Sequence, residues 1–165
     1  MPNDCLLHLA VRNQGLFVAA GNPKRIHELT DLTRSDLRFV NREAGSGTRM
    51  LLELMLTGSS ISHKKINGFE NTEFTHSAVA AFVASGMADV GFGVQTAAQR
   101  FGLDFIPLVR ERYFFALPSA SLNEPLVQTV VDILQSAAFR AEVNGLDGYN
   151  SADTGKILSL EDAFG

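Results

Sequence analysis

The sequence predicts an α/β domain built on a mixed or parallel sheet, and three observations predict it. Short β-rich runs alternate with helical patterns from about residue 15 onward, the connections are short and glycine-punctuated, and 45% of the 165 residues are hydrophobic. That length fills one real core or two small lobes, not two ordinary domains.

Gly15 to Ala20 reads as a buried strand closed by the turn Gly21-Asn22-Pro23, and Ile26 to Leu32 as a short helix. Leu37 to Asn41 is the next strand. A Gly-rich turn leads from it into a helix over Arg49 to Leu56, apolar on nearly every face and so expected between two layers. Ile66 to Glu70 is a candidate short strand, and Ser77 to Ser85 a small apolar helix ending at Gly86, a left-handed C-cap. Ala88 to Phe92 then reads as strand, Gln95 to Arg100 as helix, Asp104 to Leu108 as strand, and Arg110 to Leu117 as a return strand. From about Asn123, Leu126, Val127, Val130, Val131, Leu134, Ala137 and Ala138 recur at helical spacing and predict one amphipathic helix.

Composition excludes several functions. The formal net charge is -4, so no basic field exists to hold a phosphate backbone, and direct nucleic-acid binding by this chain is not expected. Lys24, Arg25, Lys64 and Lys65 read as solvated loop charges. The single cysteine, Cys5, has no disulfide partner and no metal-ligand spacing, and no cofactor or metal is expected. Met1-Pro2-Asn3-Asp4 lacks the positive start of a leader, and no run reaches the ~20 apolar residues of a membrane span, so the expected location is the cytosol.

The chemistry concentrates in Gly45-Ser46-Gly47-Thr48-Arg49, between a strand and a helix start. The first amides of a helix lack internal partners, the aligned peptide dipoles make that end positive, and glycine lets a ligand approach the backbone. Ser46 and Thr48 add hydroxyl donors, so the phrase reads as an anion cradle. The competing reading is a plain capped turn, in which Ser46 or Thr48 serves only the helix. A nucleophile elbow is excluded because Ala44 and Thr48 stand where glycines are needed. A P-loop is excluded because Gly155-Lys156 is followed by Ile157. Gly91-Phe92-Gly93 has Thr96 where a dinucleotide fingerprint needs glycine, and reads as a tight turn.

Several phrases together carry a family resemblance. Arg12-Asn13-Gln14-Gly15-Leu16, Asn41-Arg42 with the cradle, Thr75-His76-Ser77-Ala78-Val79-Ala80, Val83 to Gly91, Gly102 to Leu108 and Glu111-Arg112-Tyr113 follow one another in order. They resemble the periplasmic-binding-protein-like domain (type II fold) of molybdate-responsive transcriptional regulators and molybdopterin-biosynthesis-related proteins, lacking most of the first lobe. The resemblance implies residues 1–20 as a remnant of the first lobe and crossing strand, 21–108 as the second lobe, and 109–165 as the return strand and C-terminal helices of the first lobe. It implies a non-catalytic sensor for a small tetrahedral oxyanion such as molybdate or tungstate, linked to transcriptional regulation. A solute-binding component of an oxyanion transporter and a remnant without ligand are the alternatives.

Carried over, Ser46, Gly47, Thr48 and Arg49 form half of the ligand site. Thr75 and His76 are a second helix start facing it, with one ring nitrogen of His76 held by a backbone carbonyl. Tyr113 supplies a phenolic donor. Glu111, with the wrong charge for anion contact, pairs with Arg42 or Arg49. The missing lobe implies a homodimer or a partner chain that covers the apolar stripe of the C-terminal helix.

Overall fold

The computed structural model describes residues Asp4–Gly165; the first three residues of the expected 1–20 segment lie outside it. The chain divides into a larger unit, residues 13–109, and a smaller one formed by residues up to Arg12 and from Arg110 onward. It passes between them within two long strands, β1 (Asp4–Val18) and β5 (Asp104–Pro118).

In the larger unit, β2 (Phe39–Arg42) leads into α1 (Gly47–Gly58), β3 (Thr72–Glu73) into α2 (His76–Ala84), and β4 (Val90–Val94) into α3 (Gln95–Arg100). The strand order is β3-β2-β4-β1-β5, with β2 parallel to both β3 and β4 and β1 antiparallel to β4. The mixed α/β fold that the sequence predicts is the one observed. Alternation places Leu16 and Val18 in a core with Phe39, Leu52 and Leu56, while Phe17 and Val40 pack with Val79 and Val83 of α2 in another.

Several boundaries differ from expectation. Gly91 and Gly93 form no turn; they lie inside β4, where a Cβ on Gly91 would stand 2.6 Å from Val79 Cγ1, so the bare backbone lets α2 pack tightly. Ile66 to Glu70 is not a strand. It is a turn in which Ile66 and Phe69 plug the core while Gly68, at φ +90°, brings its Cα against the Phe39 carbonyl. The helix expected over Ile26 to Leu32 shrinks to one 3-10 turn, Leu29–Thr33.

In the smaller unit, β6 (Tyr149–Asn150) and β7 (Ile157–Ser159) pair antiparallel with β1. The expected single helix from Asn123 is two, α4 (Pro125–Gln135) and α5 (Ala137–Asn144), because Ser136 leaves helical geometry and caps α5 by accepting from the Phe139 amide. A short α6 (Leu160–Phe164) closes the chain. Among the described residues no helix is long and apolar enough to cross a membrane. Cys5 is buried and unpaired.

Buried His8 packs edge-on against Phe114 at 4.9 Å, and neither ring nitrogen has a hydrogen-bond partner among the described residues. Burial lowers its pKa below the ordinary 6.5, assisted by Arg112 and Lys156 and opposed by Asp153. The unfolded chain therefore binds this proton first as pH falls, so the stability is fully present above pH 6.5 and declines as pH drops toward the folded value. Urea unfolding between neutral and mildly acid pH is expected to show that decline, and His8→Leu is expected to flatten it. An unchanged slope in the variant assigns the proton elsewhere.

Candidate functional site

The parallel strands β2, β3 and β4 end at one edge of the sheet, and α1, α2 and α3 begin there. The crevice outside the carboxyl ends of such strands is where open α/β sheets hold ligands. Two of these helix starts carry hydroxyl caps. Ser46 has extended backbone and its Oγ accepts from the Arg49 amide at 3.2 Å; Thr75 does the same for Ala78 at 3.0 Å. Accepting one bond leaves each hydroxyl its own proton to donate. Capping and ligand contact are therefore compatible rather than alternatives.

Among the described residues, no acceptor reaches the amides of Gly47 and Thr48, the first two of α1. A Cβ built on Gly45 or Gly47 meets nothing within 4 Å, so the turn and the first residue of α1 face open space on that side, while Thr48 is buried. Gly45 sits at φ +90°, which turns the chain from β2 into α1. The half-buried His76 opens α2, and its Nδ1 accepts from the Val94 amide at 3.4 Å. A backbone amide, not the expected carbonyl, thus holds the ring, which fixes the remaining proton on Nε2 and makes that nitrogen a donor.

Arg49 behaves differently from expectation. Its side chain is buried, with Nε on Glu53 at 2.9 Å, Nη2 on Glu70 at 3.2 Å and the guanidinium 4.8 Å over the Phe69 ring. Burial disfavours its charge, but the hydrogen bonds to Glu53 and Glu70 outweigh that and hold it protonated. The guanidinium therefore anchors α1 rather than reaching the open space. The pairing of Glu111 with Arg42 or Arg49 is also corrected. Glu111 accepts from Arg12 Nε at 2.6 Å, because both lie in the smaller unit on neighbouring strands, while Arg42 Nη2 donates to the Phe74 carbonyl. Arg42 so joins the end of β2 to the segment before Thr75, a role for which the sequence offered only its place at a strand end.

Tyr113 belongs to the smaller unit, exposed, with the Arg12 guanidinium 4.3 Å over its ring. The structure thus gathers Ser46, Gly47, Thr48, Thr75 and His76 on one sheet edge, leaves Tyr113 in the other unit, and turns Arg49 to internal pairing. Asn13, quoted in the family resemblance but given no role there, donates from Nδ2 to Gln95 Oε1 at 3.0 Å at the start of α3.

The PBP superfamily domain matches residues 1–135, and the chain belongs to that superfamily. A Bacillus subtilis protein, Uncharacterized protein YvgK, is 40% identical over 154 residues, covering 93% of this chain and 49% of its own length. Two solved structures share the fold. The substrate binding domain of a putative molybdenum ABC transporter from Clostridium difficile aligns with TM-score 0.62 at 20% identity, covering 88% of this chain and 66% of its own. The Synechocystis PCC6803 CcmR regulatory domain in complex with 2-PG aligns with TM-score 0.63 at 18% identity, covering 79% and 64%. The fold is that of substrate-binding domains, and this chain spans about half of the Bacillus relative and about two thirds of the solved domains.

Proposed function

We propose that this chain is the ligand-binding part of a cytoplasmic sensor for a small tetrahedral oxyanion, molybdate or tungstate, coupled to transcriptional regulation and without catalysis. One observation carries the reading: the amides of Gly47 and Thr48, which no acceptor reaches among the described residues, begin a helix whose first residue is open to a ligand and which shares its sheet edge with a second capped start. Ser46, Thr48 and Thr75 supply hydroxyl protons, and His76 supplies Nε2–H. Every one of these groups donates. The amides and Nε2–H only donate, whereas the hydroxyls can also accept; a set so weighted toward donors suits an anion with no proton of its own, which favours molybdate, tungstate or sulfate over hydrogen phosphate. Arg49 acts from behind, holding the helix start in place.

The ligand acts by preferring one conformation of the protein over another, which is all that a sensor needs. The regulatory domain bound to 2-PG supports that use of the fold, while the molybdenum transporter domain supports the second reading, a solute-binding component of a transporter.

Thermal unfolding with molybdate, tungstate, sulfate and phosphate tests the proposal. A ligand at 100 times its Kd is expected to add about 2.7 kcal/mol of stability and raise the Tm accordingly. The expected order places the three unprotonated anions above phosphate. No shift with any of the four at millimolar concentration would return the cradle to a capped turn.

A further inference from the structure

We infer that Gln95 is a further donor to the oxyanion, and that Asn13 is the positioning residue whose single hydrogen bond keeps Gln95 a donor and so sets which anions the site prefers. The inference rests on the anion reading above and names the residues behind its expected order of anions.

Gln14 pairs with Val94 in antiparallel register, so Asn13 of β1 lies level with Gln95, the residue that opens α3. β2 runs parallel to β4 with Val40 beside Gly91, a register that sets Arg42 beside Gly93. The chain therefore leaves both strands at one level, from β2 into the cradle and from β4 into Gln95. His76 stands at that level too. Its Nδ1 accepts from the Val94 amide at 3.4 Å, and a Cβ on Gly93 would meet the same nitrogen at 2.7 Å. Gln95 is thus the next residue after the one that holds the His76 ring, and the whole set lies within residues 13–109.

The bond between the two side chains fixes a polarity. Asn13 Nδ2 donates to Gln95 Oε1 at 3.0 Å, and both residues are half-buried. A carboxamide has one accepting and one donating end, which diverge from a common carbon. With Oε1 engaged toward β1, the free end of Gln95 is Nε2, and among the described residues no acceptor reaches it. Reversing the bond would put a carbonyl oxygen in that place. A residue that merely tied down a helix start would accept from its amides, yet α3 has no side-chain cap. Asn13 donates to a side chain instead, and what that contact determines is the direction of one amide. An N–H there bonds any oxyanion, whereas a carbonyl repels every oxygen that carries no proton.

Calorimetric titration of the purified chain with molybdate, sulfate and phosphate at mildly alkaline pH, where all three are dianions, tests the inference. Asn13→Asp keeps the size of the side chain but can only accept, so Gln95 must donate to it and present Oε1. Molybdate and sulfate are expected to bind at least about 10-fold more weakly. Hydrogen phosphate, which can donate its own proton to Oε1, loses less, so the preference for molybdate over phosphate narrows or inverts. The added charge acts on all three dianions alike and leaves that ratio alone. Gln95→Met removes the amide at nearly constant volume; it is expected to weaken all three by roughly 10-fold, and with it in place Asn13→Asp no longer changes the order. A pair that only ties β1 to α3 gives a lower Tm and an unaltered anion preference, and that result in Asn13→Asp overturns the inference. So does parent-like affinity in Gln95→Met, which decides the matter if Asn13→Asp does not fold. A parent chain that binds none of the three brings down the anion reading and this inference with it; a parent that binds, with variants that keep its affinities and order, brings down this inference alone.

Discussion

Replacing Gly47 by valine is expected to leave a folded protein that has lost its anion. Gly47 is the first residue of α1, its φ is not positive, and a Cβ there meets nothing within 4 Å, so the fold tolerates a side chain. Valine for glycine near a helix start changes stability by no more than about 1 kcal/mol. The added methyls instead enter the space beside the Gly47 and Thr48 amides. Hydrogen bonds to a charged ligand contribute roughly 1.5–3 kcal/mol each, so the loss of two weakens binding by about 100-fold or more. Calorimetric titration with molybdate reads the affinity, and a melting curve reads the fold. Wild-type affinity in Gly47→Val places the ligand elsewhere; an unfolded variant makes the glycine structural. Gly45→Val is the contrast, because φ +90° strains a β-branched residue and the cost appears in stability first.

The parts of this fold that were legible are those whose local chemistry and tertiary packing agree. α1 and α2 were expected within two residues at each end, because apolar runs follow a hydroxyl cap and stop at or near glycine, and α3 was expected over the residues it occupies although Val94 gives it no side-chain cap. β1 was read only from Gly15, since Arg12-Asn13-Gln14 interrupts the apolar run before it; in the structure Gln14 is fully buried and the strand continues through. β5 was read as two strands, Asp104 to Leu108 and Arg110 to Leu117, where the structure has one that continues through Val109; as the last strand in the order it tolerates Pro107 and the charged Arg110-Glu111-Arg112 within it. In the site, the two caps were legible from residue type and position. The fate of Arg49 was only half legible: Glu53 stands at i+4, but Glu70 reaches it across a turn that the sequence suggested was a strand.

Gly93→Ala is the second substitution with a large expected effect, and it separates the fold of the site from its chemistry. A Cβ at Gly93 would stand 2.7 Å from His76 Nδ1 and 2.7 Å from Phe17 Cζ. Phe17 is fully buried and fixed by the core, whereas His76 is half-buried at a helix start, so the imidazole is the group that gives way. Its movement breaks the bond from the Val94 amide and frees the ring to turn, which misdirects Nε2–H. Overpacking of this kind costs about 1–3 kcal/mol of stability. Binding should weaken by nearly as much as in His76→Ala, where one hydrogen bond to a charged ligand is lost, roughly 10-fold to 100-fold. The double variant decides the cause. If Gly93 acts through the imidazole, adding Gly93→Ala to His76→Ala leaves the affinity almost unchanged, and its stability cost shrinks because the truncated side chain has vacated the space. Gly93→Ala that melts earlier yet binds molybdate as tightly as the parent would remove His76 from the ligand's surroundings and leave the cradle on α1 to hold the anion without it.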